Sequence, residues 1–185
     1  MAKTTAERER IVPLLAEVFR AHGYEGATLA LLTEATGLGK GSLYHLFPNG
    51  KAQMASEVLA DIDGWFEVHV FAPLLKNPDS KRAVDDMLDA VDVYFRSGRR
   101  ICLVGVVALG ASRDVFAARV HAYFKRWGNA LASALRRAGK TPAEAKRQSE
   151  NALLIIQGAL VLARALDDPR VFSRAMADLK DRLPA

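Results

Sequence analysis

Residues 37–47 read Gly37-Leu38-Gly39-Lys40-Gly41-Ser42-Leu43-Tyr44-His45-Leu46-Phe47, placing glycines, a lysine and a serine ahead of a tyrosine and a histidine. Such a set could hold phosphate, form a catalytic corner, or lie against a larger polymer. A nucleotide P-loop needs a glycine five positions before its Gly-Lys and a Ser or Thr directly after it. Those positions hold Glu34 and Gly41. The dinucleotide fingerprint GxGxxG, begun at Gly37, finds Ser42 where its third glycine belongs, with no strand ahead of it. Wound as a helix at about 100° per residue, the segment sorts more cleanly. Leu43, Leu46 and Phe47 lie together, with Gly41, Tyr44 and His45 on the other side and Ser42 at the flank. Small residues let backbone approach a groove, helix N-terminal amides attract phosphate, and Lys40, Ser42, Tyr44 and His45 supply donors for phosphates and base edges. These are the requirements of a recognition helix.

The other residues with reactive side chains do not assemble. His22, His45, His69 and His121 are scattered, with no second histidine or cysteine at zinc spacing. Asp85, Asp86 and Asp89 share a helical stretch with Val84, Met87, Leu88 and Val91, the pattern of a solvated acidic face. No nucleophile elbow accompanies the serines and no glycine loop holds a cofactor. No enzyme, metal site or cofactor is therefore expected. Cys102 follows Arg99 and Arg100 closely, where guanidinium charge would favour thiolate and permit redox or electrophile sensing. Its Ile, Leu and Val neighbours describe instead a buried small hydrophobe.

The elements that must position the 37–47 segment are helical. Thr4 and Glu7 form a capping box ahead of Ile11, Leu14, Leu15, Val18 and Phe19, which predicts a helix over 5–22 closed by Gly23, with a kink at Pro13. Thr28 caps a short helix ending near Thr36, where Gly37-Leu38-Gly39 breaks it; a second runs from Lys40 to just before Pro48. Two short helices joined by a glycine-bearing turn make a helix-turn-helix. Longer helices follow at about 51–75, 80–97, 101–111, 114–138, 142–166 and 169–183. The expected fold is all-α, with no internal repeat.

Composition sets the surroundings. Of 185 residues, 50% are apolar and 25% charged, the profile of a folded chain. The longest apolar runs, 101–111 and 152–163, fall short of the roughly 20 residues that span a bilayer. The opening MAKTTAERER lacks the apolar core of a secretory signal, and one cysteine excludes an intrachain disulfide. A cytoplasmic protein without a membrane partner is expected. The net charge of +5 suits a polyanion, yet residues 1–51 hold six Lys or Arg against five Asp or Glu, leaving +4 for the remainder. Charge alone does not locate a nucleic-acid site.

The N-terminal third, AERERIVPLLAEVFRAHGYEGATLALLTEATGLGKGSLYHLFPNGKAQMASEVL, resembles the DNA-binding domain of the TetR/AcrR family of transcriptional regulators. The resemblance rests on the ordered coincidence of His22-Gly23-Tyr24 closing an apolar helix, the capping Thr28, the GLGKGSLYHLF turn and helix, and Lys51 opening the next helix. It implies that Thr28, Gly39, Lys40, Gly41, Ser42, Tyr44, His45 and Lys51 lie at or near DNA, with Lys51 on phosphate. It also implies a homodimer reading a pseudo-palindrome. Thr33 stands where the family usually has alanine, which bears on helix packing, and Gly39 replaces a common serine.

The division this implies is a helix-turn-helix domain over 1–50 and a larger helical domain over 51–185 that binds a small molecule and dimerises. Trp65, Phe66, Met87, Val91, Tyr94, Phe95, Phe116, Tyr123, Trp127 and Gln157 are the candidate ligand contacts, concentrated between the DNA-binding segment and the last two helices. The stretch ALLIIQGALVLARAL at 152–166 is apolar around nearly its whole circumference, so one face meets the core and another a second chain. Leu153, Ile156 and Leu160, with Phe172, Met176 and Leu179 of the last helix, are the candidate dimer contacts. The expected function is a DNA-binding regulator, a repressor released from its operator by a small molecule. The alternatives are a helix-turn-helix regulator without a small-molecule response, or one that senses through Cys102.

Overall fold

A computed structural model describes residues 2–183, with side chains from residue 6 onward. Among the described residues there is no strand. Helix α1 (Ala2–Gly26) carries Ile11, Leu15 and Phe19 into the core at helical spacing. It starts ahead of Thr4, whose side chain, and with it the expected Thr4–Glu7 capping box, lies outside the described residues. The backbone leaves helical angles at Gly23 (φ 68°, ψ 175°) and not at the expected Pro13. Pro13 is exposed, where water can serve the carbonyl that its missing N–H leaves free.

Helix α2 (Leu29–Thr36) begins as its sequence dictates, with the Thr28 hydroxyl accepting from the Leu31 N–H at 3.3 Å. Gly37 ends it in the left-handed region (φ 68°), its N–H returning to Thr33 and Glu34. The Thr33 hydroxyl donates to the Ala30 carbonyl at 2.8 Å, so this departure from the family's alanine is satisfied within its own helix. Helix α3 (Lys40–Leu46) follows, then α4 (Gly50–Phe66), whose Met54, Val58, Ile62 and Phe66 form one buried stripe.

The single helix expected over 51–75 is broken into three. Residues Glu67–Phe71 form a π-helical turn in which the Ala72 N–H reaches back to the Glu67 carbonyl, and α5 (Ala72–Lys76) carries on from it. Pro73, lacking an N–H, has no rung to give an α ladder here. Arg126 grips both ends of the turn, pairing with the Glu67 carboxylate and lying 5.0 Å from the Phe71 ring centre. Helix α6 (Ser80–Tyr94) ends before the expected Ser97, because Arg96, Ser97 and Gly98 all adopt positive φ (51°, 50° and 88°). The rest is α7 (Leu103–Leu109), a 3-10 turn (Ala111–Asp114), α8 (Ala117–Arg137), α9 (Pro142–Ala165) behind a Thr141–Glu144 capping box, and α10 (Arg170–Arg182).

The helices gather into two compact units. One reaches to Gly64 and includes Leu103–Val120; the other holds Trp65–Cys102 and the chain from His121 onward. In the first, α1 packs on α2 and α7, and α2 on α3; in the second, α10 packs on α9 and α6, and α5 on α6. These units differ from the 1–50 and 51–185 division, because α4 adds Met54, Ala55, Val58, Leu59 and Ile62 to the first core and residues 103–120 return to it. Sequence order hides that return.

Gly98 fixes one corner of the second unit. A Cβ there would stand 2.6 Å from the Phe172 Cβ and 3.0 Å from the Pro169 carbonyl oxygen, at φ +88°. Gly98→Ala is expected to lower the unfolding free energy by roughly 2–4 kcal/mol, combining left-handed strain with overpacking, as read by urea denaturation.

Candidate nucleic-acid interface

Helix α3 has seven residues, too few to hold together alone, and its inner face keeps it folded. Leu43, Leu46 and Phe47 are buried, whereas Gly39, Lys40, Gly41, Ser42 and His45 are exposed. A Cβ built on Gly39 or Gly41 would meet nothing within 4 Å, so packing inside the chain gives no reason for glycine at either position. Smallness there serves whatever approaches from outside.

Tyr44 is exposed to 42% yet held in place. Its ring lies over Gly50, where a Cβ would come within 3.3 Å of the Tyr44 Cε1, and Gly50 itself sits at φ +66°. Glycine is thus favoured twice at this corner, once by backbone angle and once by the ring. The Gly50 N–H donates to the Phe47 carbonyl at 2.8 Å, closing the step from α3 to α4.

Lys51, one residue on, is half-buried and tethered. Its Nζ donates to the Glu25 carbonyl at 3.4 Å and lies 4.7 Å from the Tyr24 ring centre. Of the expected DNA contacts, the structure thus gathers Gly39, Lys40, Gly41, Ser42, Tyr44 and His45 at α3 and its cap. Thr28 is exposed at the start of α2, its hydroxyl engaged in capping, and Lys51 sits at the start of α4 against the end of α1.

Sequence reasoning missed what fastens that end of α1. Tyr24 meets Phe116 edge-on at 5.3 Å, and Ser112 lies beside the Glu25 carboxylate and helps to hold its pKa down. Phe116, expected among the ligand contacts, lies in the unit that carries α3. Phe19, Tyr24, Ala55, Leu59, Leu103 and Val107 line a cavity of about 10 Å³, too small for an organic ligand.

The remaining ligand candidates lie in the second unit. Phe66, Met87, Val91, Phe95, Tyr123 and Trp127 are fully buried there, with the Phe66 ring 4.9 Å from Tyr94, 5.0 Å from Tyr123 and 5.2 Å from Trp127. Trp65 and Tyr94 are half-buried, 4.5 Å apart, with the Arg100 guanidinium 5.3 Å from the Tyr94 ring centre. The Trp127 indole nitrogen and the Gln157 amide nitrogen are buried without a hydrogen-bond partner. Cys102 is buried, and Arg100 is turned toward Tyr94, donating to its carbonyl at 3.3 Å.

The expected dimer contacts lie on α9 and α10. Ile156, Leu160, Phe172, Met176 and Leu179 are buried within the protomer, forming the seam between α9 and α10, and Leu153 is half-buried. Helical period shows which residues share a face, not which of two apolar faces turns inward.

A family profile described as bacterial regulatory proteins, tetR family, matches residues 14–58, and one described as transcriptional regulator LmrA/YxaF-like, C-terminal domain, matches residues 81–178. The chain belongs to the TetR family. TetR-family proteins are DNA-binding transcriptional regulators, not enzymes, and so is this one. The HTH-type transcriptional regulator LmrA of Bacillus subtilis is 26% identical over 160 residues, 84% of this chain and 85% of LmrA. The HTH-type transcriptional repressor AcnR of Corynebacterium glutamicum is 44% identical over 45 residues, 24% of each chain. A TetR transcriptional regulator from Chloroflexus aurantiacus shares the fold, with a TM-score of 0.80 and 22% identity over 98% of this chain and 96% of that one. Among the described residues of this TetR-family chain, no cluster of His, Cys, Asp or Glu could hold a metal ion, and no helix is long and apolar enough to cross a membrane.

The Glu25–Ser112 contact has a measurable signature. A hydrogen bond to its own backbone holds the Glu25 carboxyl below its usual range against an opposing desolvation, with Ser112 and the Lys51 charge adding to the lowering. A lowered carboxyl stabilises the fold above its unfolded pKa, and that contribution is lost as pH falls through the folded value. Ser112→Ala is expected to raise the Glu25 pKa in an NMR titration, with the stabilities of variant and wild type converging at acid pH. An unmoved Glu25 would show the contact to be inert.

Proposed function

We propose that this TetR-family regulator acts in the cytoplasm as a homodimeric repressor, reading a pseudo-palindromic operator with α3 of each subunit in a major groove and leaving it when a small molecule binds. One observation carries the reading. The outward face of α3 offers Lys40, Ser42, Tyr44 and His45 as donors beside Gly39 and Gly41, two glycines that no packing within the chain requires. Gly39 and Gly41 let the backbone approach the duplex, Lys51 and Thr28 flank the reading face as phosphate contacts, and Tyr44 is braced by Gly50. Repression is supported by the likeness to AcnR, which is named a repressor.

The aromatic cluster from Trp65 to Trp127, with Gln157, is the place for the ligand. Two buried donors without acceptors, on Trp127 and Gln157, favour that placement, since an unmet buried donor costs about 1–3 kcal/mol that an acceptor-bearing guest would recover. Ligand binding would favour one of two arrangements of the helical bundle, and α4, with Phe66 at one end and Lys51 at the other, would pass the difference to the spacing of the recognition helices. A ligand that binds both arrangements equally would release nothing.

The test uses a duplex selected from random sequence by the full-length protein. Tyr44→Ala and His45→Ala are each expected to weaken binding about 5- to 150-fold, with thermal unfolding little changed. Lys51→Ala is expected to weaken binding to any sequence alike and to reduce the salt slope by about one. Full affinity in both the Tyr44 and His45 variants would remove α3 from the interface.

A further inference from the structure

Lys51 is held by two groups that carry no charge. Its Nζ donates to the Glu25 carbonyl at 3.4 Å and stands 4.7 Å from the centre of the Tyr24 ring. That ring is itself fixed, stacked on Phe19 at 6.2 Å and met edge-on by Phe116 at 5.3 Å. Phe19 and Phe116 are both buried, so the half-buried Tyr24 cannot swing away from the lysine without breaking into the core. The Glu25 carboxylate is a lesser neighbour of Lys51. Its own backbone and Ser112 do more than the Lys51 charge to lower its pKa.

We propose that Tyr24 is a positioning residue for DNA binding, its ring acting with the Glu25 carbonyl to hold the Lys51 ammonium at the opening of α4 for a backbone phosphate. The proposal rests on the phosphate contact assigned to Lys51 above and adds the group that aims it. A lysine loose in solvent gives up side-chain rotamers when it grips a phosphate. Lys51 has already given up that freedom inside the folded chain. A carboxylate partner would fix the ammonium as well but would offset its charge. A carbonyl and a ring face fix it and leave the charge for the duplex. An ammonium has donors to spare once the Glu25 carbonyl is met, so a phosphate can be added without either neighbour leaving. Phosphates carry no sequence information, so Tyr24 strengthens the grip on every duplex alike.

The test measures full-length variants on a duplex selected from random sequence and on a scrambled duplex of equal length, with circular dichroism to report folding. Tyr24→Phe keeps a ring and is expected to bind as the wild type does. Tyr24→Leu is expected to weaken binding to both duplexes about 2- to 5-fold, and to cost nothing further when Lys51→Ala is already present. The wild type gives a second readout that needs no folded variant. Ring current from Tyr24 is expected to place the Lys51 Hε resonances upfield of the other lysines, in the free protein and on DNA alike. Removal of the ring that costs nothing, or costs the same with and without Lys51, would overturn the role of Tyr24 and leave the phosphate contact intact. So would Hε resonances that return to the ordinary lysine position on DNA. A Lys51→Ala variant that binds both duplexes like the wild type would remove the phosphate contact and this proposal with it.

Discussion

The structure turns on the burial of one short face. Seven residues of helix do not hold together in water, so α3 exists only because Leu43, Leu46 and Phe47 are taken into a core. That burial fixes which side of the segment faces outward. Everything that could read a nucleic acid follows from it: the open glycines, the donors at Lys40, Ser42 and His45, and a tyrosine that is exposed without being loose. The corner at Gly50 completes the constraint, because no other residue adopts its backbone angle and also leaves room for the Tyr44 ring.

The core beneath α3 also depends on a distant part of the sequence. Residues 103–120 return to the same unit, where Leu103 and Val107 line a cavity with Phe19 and Tyr24 and where Phe116 meets the Tyr24 ring. Tyr24 touches Lys51 on another side, and Glu25 joins Ser112 to the same turn. The end of α1 is thus a junction of three stretches of chain, one of which opens the helix that leads away from the DNA-binding segment. Residues 103–120 touch the end of α1 at Tyr24, and Tyr24 in turn touches Lys51, all within one packed unit.

The helix-turn-helix was legible because its signals are local: Thr28 caps, Gly37 and Gly39 break, and the spacing of Leu43, Leu46 and Phe47 names an inner face. Most of the longer helices were legible in their approximate bounds, such as 142–166 against the observed Pro142–Ala165, although the Thr141–Glu144 capping box that opens that helix was not read. What escaped notice depends on tertiary partners. The π turn over 67–71 is held by Arg126, far along the chain, and Arg96 and Ser97 take positive φ in a turn whose N–H groups return to Val93 and Asp92. Phe116 reads like any other aromatic until its neighbour Tyr24 is known. On α9, Ile156 and Leu154 are equivalent by composition, and only the fold turns the first inward and leaves the second outside.

The most direct measurement of the central claim is a salt titration of the full-length protein on a duplex selected from random sequence, beside a scrambled duplex of equal length. If the outer face of α3 reads bases while lysines and helix ends hold phosphates, the selected duplex is expected to bind at least 1,000-fold more tightly, with both affinities falling steeply as salt rises. Equal affinity for the two duplexes at every salt concentration would contradict it, leaving phosphate attraction without sequence readout.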